Sequence, residues 1–504
     1  MTGFSPRPNV VIVGSGPTGA AFARTIADEW PEVRICMIES GPIVSDPPGH
    51  HVANISDPAA QVTARLASQG PASGIVHLPT TESEWLERIA GRPDASMLRR
   101  PGLFAVGGGD INGHGFPAGH ASSNVGGMGA HWFGGCPRPA PSERADFLKA
   151  EIFEAALDRA ETLLKSSSDQ YLDSPIAPVL EARLGALFDS GRPAARRVQP
   201  MPMAVVRDGD RVSRSGTDVI LGDLLGSDPD RFELRPNTVC RRVIVENGHA
   251  TGVEVCDTLT NQVSIIEAST VVIAADALHT PQLLFASGIR PPALGRYLNE
   301  HLQVGLMAEL DGVELSDQLN GVTWVPYLGE TFPFSITITQ AAPEMLPFGA
   351  PGANPRKPWL FISLFAAADL QFDNCVAFHE RTLDWRGLPS IECSFRPSAT
   401  DLARVEWGKR IVGEIAAAVG RPLPGFGPMI PPYGSSLHYQ GTVRMGAIDD
   451  GLSVCDENSQ VWGFDNLFVA GNGVIPTMTG TNPTLTSVAL AVLAGQHVAS
   501  QRHS

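Results

Sequence analysis

The sequence predicts an α/β protein in two interwoven parts, one built on a parallel sheet and the other on an antiparallel sheet with flanking helices. The first observation behind this is an N-terminal βαβ unit. Asn9–Gly14 reads as a buried strand, Gly16–Trp30 as a helix with small residues in its first turn, and Val33–Glu39 as a second buried strand. The second is the alternation of apolar and polar residues in short runs between positions 302 and 400, as in Ser335-Ile-Thr-Ile-Thr339 and Ile391-Glu-Cys-Ser-Phe395. This pattern predicts antiparallel strands with one face in solvent or on a cavity. The third is length: 504 residues exceed the roughly 250–300 at which a single core stops growing.

The βαβ unit carries a full dinucleotide fingerprint of the Rossmann type. Gly14-Ser-Gly16-Pro-Thr-Gly19 follows a strand and opens a helix, and Glu39 ends the next strand, 20 residues after Gly19. Gly14 permits the tight turn, Gly16 lets backbone approach a pyrophosphate, and Gly19 lets helix and strand pack closely. The helix N-terminus offers unpaired N–H donors to phosphate. Glu39 is placed to accept from ribose hydroxyls. Flavin and nicotinamide dinucleotides share all of these features, so the fingerprint leaves them level.

Further along, residues 46–100 are turn-rich and read as an insertion or lid with one helix near Glu82–Ala90. Val106–Pro141 holds eleven glycines and little periodicity, the mark of a long functional loop packed close to a cofactor. Helical periodicity runs from Glu143 to Leu164. Strands occupy Phe232–Val255 around the Asn247-Gly248 turn, and another buried strand spans Val271–Ala274. A helix over Ala399–Ala418 closes the second part, and Phe468–Gly473 reads as a last buried strand. The apolar run Ser487–Gly495 is about half of the ~20 residues a membrane span needs, so it is assigned to a core helix.

Composition excludes several classes of partner. A formal charge of −16 disfavours nucleic acid and anionic membranes, both of which are held by positive patches. The seven cysteines are scattered, with no C-x-x-C pair, which fits reduced thiols better than a disulfide framework or a zinc site, and no metal spacing occurs. Met1–Pro8 shows no basic-then-apolar leader, which points to a cytoplasmic address.

Three C-terminal segments carry a resemblance. Ser436-Leu-His438-Tyr-Gln-Gly441-Thr-Val-Arg444-Met-Gly446, Asn466–Pro476 with Gly471 and Asn472, and Asn482-Pro-Thr484-Leu-Thr486 together resemble the C-terminal signature of the glucose–methanol–choline (GMC) oxidoreductases. Thr280–Leu284, Ser287–Ile289 and Gly295–Leu298 are similar to that family's second signature. Asn124-Val-Gly-Gly127-Met128-Gly-Ala-His131-Trp132 is similar to the flavin-contacting loop of its pyranose oxidase branch.

The resemblance implies FAD as cofactor, a sugar or glycoside as substrate, and oxygen or a quinone as electron acceptor, with a non-sugar alcohol as substrate, or a non-redox lyase or binding role on the same scaffold, as the alternatives. It makes His131 a candidate for a covalent flavin link, although Phe133 stands where fungal pyranose oxidases have threonine. Val239 matches the position whose backbone meets adenine. The length fits the shorter bacterial relatives that oxidise carbon 3 of glucosides, including C-glycosides, better than the longer fungal enzymes that oxidise carbon 2. On this basis residues 1–45, 101–145, 200–300 and 430–504 form a Rossmann-type FAD-binding domain, interwoven with a substrate domain from 146–199 and 301–429.

Oxidising a secondary alcohol with a flavin requires a base for the hydroxyl proton and a hydride path, both held near attack geometry. The resemblance gives the base role to His438 and sets Asn482 beside it, where the amide hydrogen-bonds the same hydroxyl. Asn482-Pro483 also reads as a helix N-cap with proline at the first helical position. The positive end of that helix would stabilise negative charge on a reduced flavin. Of the other histidines, His114 and His120 are candidate pocket residues, and His279 and His301 are assigned structural roles.

Overall fold

In a computed structural model, the described residues are 7–69, 102–106, 109–110, 114–171, 174–209, 211–314, 321–340, 357–423 and 427–503. The expected helix over Glu82–Ala90 and the His114 side chain lie outside them, as does the second half of the expected insertion.

The N-terminal reading holds to within a residue or two, the usual uncertainty of helix and strand ends. β1 (Val10–Val13), α1 (Pro17–Glu29) and β2 (Ile35–Ile38) form the βαβ unit, and both strands are buried throughout. A strand covered on both faces must be apolar at every position, which is why these segments show no alternation.

The expected helix from Glu143 starts later. Pro141–Glu143 is a single 3-10 turn, Arg144 is extended, and α2 begins only at Ala150 and runs to Leu164. The Glu143 side chain is committed to tertiary contacts described below, which periodicity does not register.

The segment expected as a hairpin over Phe232–Val255 divides in two. β3 (Phe232–Arg235) joins β2 in parallel, and Asn237, with φ of 53°, turns the chain into the true hairpin of β4 (Thr238–Glu246) and β5 (His249–Asp257). Asn247 and Gly248 both have positive φ at its turn, as a type I′ connection demands. The hairpin sends Val243, Val253 and Val255 into the core under the parallel sheet. β6 (Thr270–Ile273) then pairs with β1, and α3 (Asp276–Ala286) follows it.

The antiparallel sheet is formed by β7 (Leu302–Leu310), β8 (Val322–Val325), β9 (Phe334–Gln340) and β10 (Trp359–Ala366). The spatial order is β7-β10-β9-β8, with short strands Gly420–Pro422 and Gln199–Pro200 at the two edges. β10 keeps the predicted alternation. Leu360, Ile362, Leu364 and Ala366 are buried in a core that α4 (Ala399–Val419) covers with Val405, Val412, Ile415 and Ala416. Phe361, Ser363 and Phe365, on the opposite face, are half-buried.

In β9 the expected open face is covered. Ser335 is fully buried and accepts a hydrogen bond from Trp324 Nε1 at 2.9 Å. A second small cluster around Met201, Met203 and Trp324 seals that end.

The chain returns to the first sheet with β11 (Leu467–Val469), giving the parallel order β3-β2-β1-β6-β11. α5 (Thr484–Ser500), the expected core helix, is buried along most of its length and packs against α1 and α2. Among the described residues, no helix is long and apolar enough to cross a membrane.

Candidate active site

A cavity of about 420 Å³ opens at the C-terminal ends of the first parallel strands, beside Val13 and Ile38, within the roughly 300–1,000 Å³ usual for small-molecule sites. The fingerprint turn and Glu39 line one region of it, and His438 and Asn482 line another.

At the fingerprint each glycine answers to a different constraint. Gly14 has φ of 106°, and a Cβ there would overlap the Ala274 carbonyl oxygen. A Cβ on Gly19 would overlap the Gly14 carbonyl oxygen, so this residue sets how closely α1 approaches β1 and does not itself line the cavity. Gly16 is the reverse case, with nothing within 4 Å of where its Cβ would stand. Free space next to the unpaired N–H groups of α1 is what close approach by a phosphate requires.

The Glu39 carboxylate already accepts from the Ser15 N–H and hydroxyl at 3.2 and 2.8 Å, the Gly41 N–H at 3.0 Å and the Ser40 hydroxyl at 3.1 Å. A ribose hydroxyl binding there would replace one of the two serine hydroxyls. Val239 also lines the cavity, as do Gly471 and Asn472 after β11.

The glycine-rich loop supplies another wall through Gly127, Met128, His131 and Trp132. Asn124 is corrected: it is fully buried behind this wall, where its amide donates to the Val125 and Gly127 carbonyls at 3.0 and 3.2 Å and holds the loop in shape. His51 Nε2 lies 2.9 Å from the Trp132 carbonyl oxygen and tethers the loop from outside. Both ring nitrogens of His131 are buried without a hydrogen-bond partner among the described residues. Burial, reinforced by His51, pushes its pKa down to about 4, so the ring is neutral. Buried polar atoms are rarely left unpaired, and His131 is among the residues that line the cavity a polar cofactor would fill.

The chemistry-bearing residues converge from the other side. His438 follows Leu437, which has φ of 58°, and its Nε2 lies 3.2 Å from Asn482 Nδ2. The N-cap reading of Asn482 is corrected. Its side chain does not cap α5, which starts with Pro483 in helical conformation; the amide turns to His438, and its Oδ1 is buried without a partner among the described residues. Thr484, the first residue of α5, lines the cavity, so the helix's positive end is directed there.

The GMC oxidoreductase family model matches residues 214–303 and 373–491. The C-glycoside 3-oxidase of Microbacterium trichothecenolyticum is 42% identical over 99% of this chain and 98% of its own length. This chain belongs to the GMC oxidoreductase family. A pyranose 2-oxidase from Tricholoma matsutake is 30% identical over 98% of the GMC chain described here and 93% of its own. A solved formate oxidase of Aspergillus oryzae superposes with a TM-score of 0.69 at 14% identity, covering 99% of both chains, which shows the shared fold.

This GMC oxidoreductase brings to the site further residues that carried no catalytic or cofactor-binding role in the sequence reading. His301, assigned a structural role, instead lies with Nδ1 2.9 Å from His438 Nδ1. Phe365, from the half-buried face of β10, packs its ring 5.1 Å from that of His438. His279 lines the cavity with its Nδ1 2.7 Å from Asp276 at the start of α3, and His120 lines it as expected.

Glu143 is another such residue. Its buried carboxylate accepts from the Gly480 N–H at 2.8 Å, the Thr481 N–H at 2.7 Å, the Thr481 hydroxyl at 2.8 Å and the Ala140 N–H. These bonds pin the loop that delivers Asn482. Glu143→Ala would strand several buried donors, each worth roughly 1–3 kcal/mol. The expected outcome is a loss of about 3–5 kcal/mol of stability, among the largest for single substitutions. Thermal unfolding measures this, and an unchanged midpoint would show that the loop does not depend on Glu143.

Proposed function

We propose that this GMC oxidoreductase binds FAD in the cavity and oxidises a ring secondary alcohol of a pyranose glycoside to a ketone. Carbon 3 of glucosides, C-glycosides included, is the preferred position, and electrons pass onward to oxygen or a quinone. The observation that carries the substrate assignment is the 42% identity, nearly end to end, with a C-glycoside 3-oxidase. The lower identity with a pyranose 2-oxidase supports the order of preference between the two carbons.

Residues of this chain suit each part of the cofactor. The Gly14, Gly16 and Gly19 turn and the start of α1 would hold the pyrophosphate, Glu39 the ribose and Val239 the adenine. Gly127, Met128, His131 and Trp132 would bear on the flavin ring, with Gly471, Asn472 and Thr484 closing the other side. The unpartnered nitrogens of His131 and the open space at Gly16 favour this placement. When bound, FAD supplies the acceptor for the hydride that leaves the alcohol carbon.

The remaining chemistry belongs to the protein. His438 Nε2 takes the hydroxyl proton, and Asn482 presents one unused acceptor and a donor to the same oxygen. Phe365 shields the pair from water, which strengthens the polar contacts inside. The seven unpaired thiols, six of them buried, favour a cytoplasmic setting.

Regiochemistry tests the proposal. The holoenzyme is incubated with an aryl C-glucoside, the matching O-glucoside and glucose, and the products are identified by NMR. A 3-keto product from the glucosides is expected. A 2-keto product from glucose alone would move the enzyme to the pyranose 2-oxidase activity, and oxidation only of non-sugar alcohols would reject a carbohydrate substrate.

A further inference from the structure

Three consecutive residues before β7 grip the segment that carries the base. Asn299 and Gln440 exchange backbone hydrogen bonds in both directions, at 3.0 and 2.9 Å. The Glu300 carboxylate accepts from the Gly434 N–H and from the Ser436 hydroxyl, the latter at 2.9 Å. Ser436 Oγ in turn accepts from the His438 N–H at 3.1 Å. His301 then meets the His438 ring itself. Its other nitrogen, Nε2, lies 3.1 Å from Thr479 Oγ1, which pairs with the side-chain amide of Gln440 at 2.8 and 3.2 Å. Both imidazoles are enclosed, and Phe365 packs against each of them.

The hydrogens follow from this pattern. Two Nδ1 atoms 2.9 Å apart must be one donor and one acceptor. Asn482 Nδ2 donates to His438 Nε2, so that nitrogen holds a lone pair and His438 carries its hydrogen on Nδ1. His301 Nδ1 is then the acceptor, His301 Nε2–H donates to Thr479 Oγ1, and the Thr479 hydroxyl donates to Gln440 Oε1. Every donor in the chain has its acceptor. Which ring nitrogen of a histidine is basic is decided by the bond made by the other, so the partner of Nδ1 selects Nε2 as the base.

We propose that His301 is a positioning residue: it fixes His438 in the Nδ1–H tautomer, which leaves the Nε2 lone pair, held by the Asn482 amide until substrate takes its place, to receive the substrate hydroxyl proton, and it keeps accepting from Nδ1–H after Nε2 is protonated. In that step the substrate O–H bond breaks, the Nε2–H bond forms, and the O–H electron pair stays on the alcohol oxygen to become part of the new carbonyl. The positive charge on His438 is then shared through a hydrogen bond with a neutral imidazole instead of standing unpaired in a buried pocket. The proposal rests on the role of His438 in the preceding section. A histidine present only to fill space would be replaced without loss by a ring of similar size.

That contrast defines the experiment. His301→Phe keeps the ring but accepts no hydrogen bond, His301→Leu does the same with less bulk, and His301→Asn restores an acceptor oxygen near the lost Nδ1. Each holoprotein is followed by anaerobic flavin reduction with glucoside and by ¹⁵N NMR of histidine-labelled protein, the His438 signals being those lost in His438→Gln. The wild type and His301→Asn are expected to show His438 protonated at Nδ1 alone, with rates within roughly tenfold of each other. In His301→Phe and His301→Leu the maximal rate should fall roughly 10²–10⁴-fold, as when a catalytic histidine is held in the wrong tautomer. KM should change little, and the single tautomer should be lost. An unchanged tautomer in the Phe and Leu variants would overturn the proposal, as would an Asn variant as slow as they are. If no sugar reduces the wild type, the substrate reading fails, while the NMR tautomers still decide the role of His301.

Discussion

Replacing His438 by alanine is expected to slow flavin reduction by roughly 10²–10⁴-fold, the usual contribution of a positioned general base, while FAD remains bound. The cofactor should stay because the fingerprint, Glu39 and the His131 loop, all of which line the cavity, are untouched. The effect should appear in the maximal rate more than in KM, since the interaction lost is made with a proton in flight. The pH dependence has a definite sign. Burial pushes the His438 imidazole down to about 4, so the ring is already neutral over most of the usable range. The reduction rate should therefore be level between roughly pH 5 and 8 and fall only below that, as the base is protonated. Stopped-flow reduction across pH checks both expectations. A rate in His438→Ala equal to the wild type would remove His438 from the chemistry, and a plateau reached only above pH 7 would mean that the base is not held neutral by burial.

Gly14→Ala should abolish stoichiometric FAD, and Gly16→Ala provides the contrast. At Gly14 the added methyl collides with the Ala274 carbonyl, and φ of 106° is one that L-residues rarely adopt. The turn must move, and Ala274 and Ala275, which line the same cavity, must move with it. At Gly16 the methyl enters open space, so the apoprotein should unfold at its normal temperature while cofactor affinity drops roughly tenfold or more, equivalent to about 1.4 kcal/mol per decade. Flavin content per protein and thermal unfolding of both apoproteins check the pair. Normal FAD content in both variants would place the dinucleotide elsewhere.

How legible each feature was in the sequence depended on how local its cause is. The βαβ unit and its glycines are legible because strand, turn and helix are contiguous within about 30 residues, even though the atom that Gly14 must avoid belongs to Ala274. In sequence β3 runs on into the hairpin because four residues are too few to show where a chain leaves one sheet for another; the break is set by Asn237. The periodicity starts α2 earlier than the fold does because the carboxylate of Glu143 answers to Gly480 and Thr481, more than 300 positions away.

The same distinction runs through the site. His438 and Asn482 were found by resemblance to known motifs, and the local pattern around Asn482 pointed to a cap that does not form, because its partner lies 44 residues upstream. His301 had no local signal at all. Its meaning comes from a contact across 137 residues, one that only the folded packing of the strap before β7 against the His438 segment creates.

The most direct measurement is anaerobic bleaching of the bound flavin by glucosides carrying deuterium at carbon 3 or at carbon 2. Bleaching by the unlabelled glucoside, slowed by deuterium at carbon 3 and unaffected by deuterium at carbon 2, is expected if hydride leaves carbon 3 while His438 takes the neighbouring proton. A flavin that stays oxidised with every sugar, or a rate slowed only by deuterium at carbon 2, would contradict it.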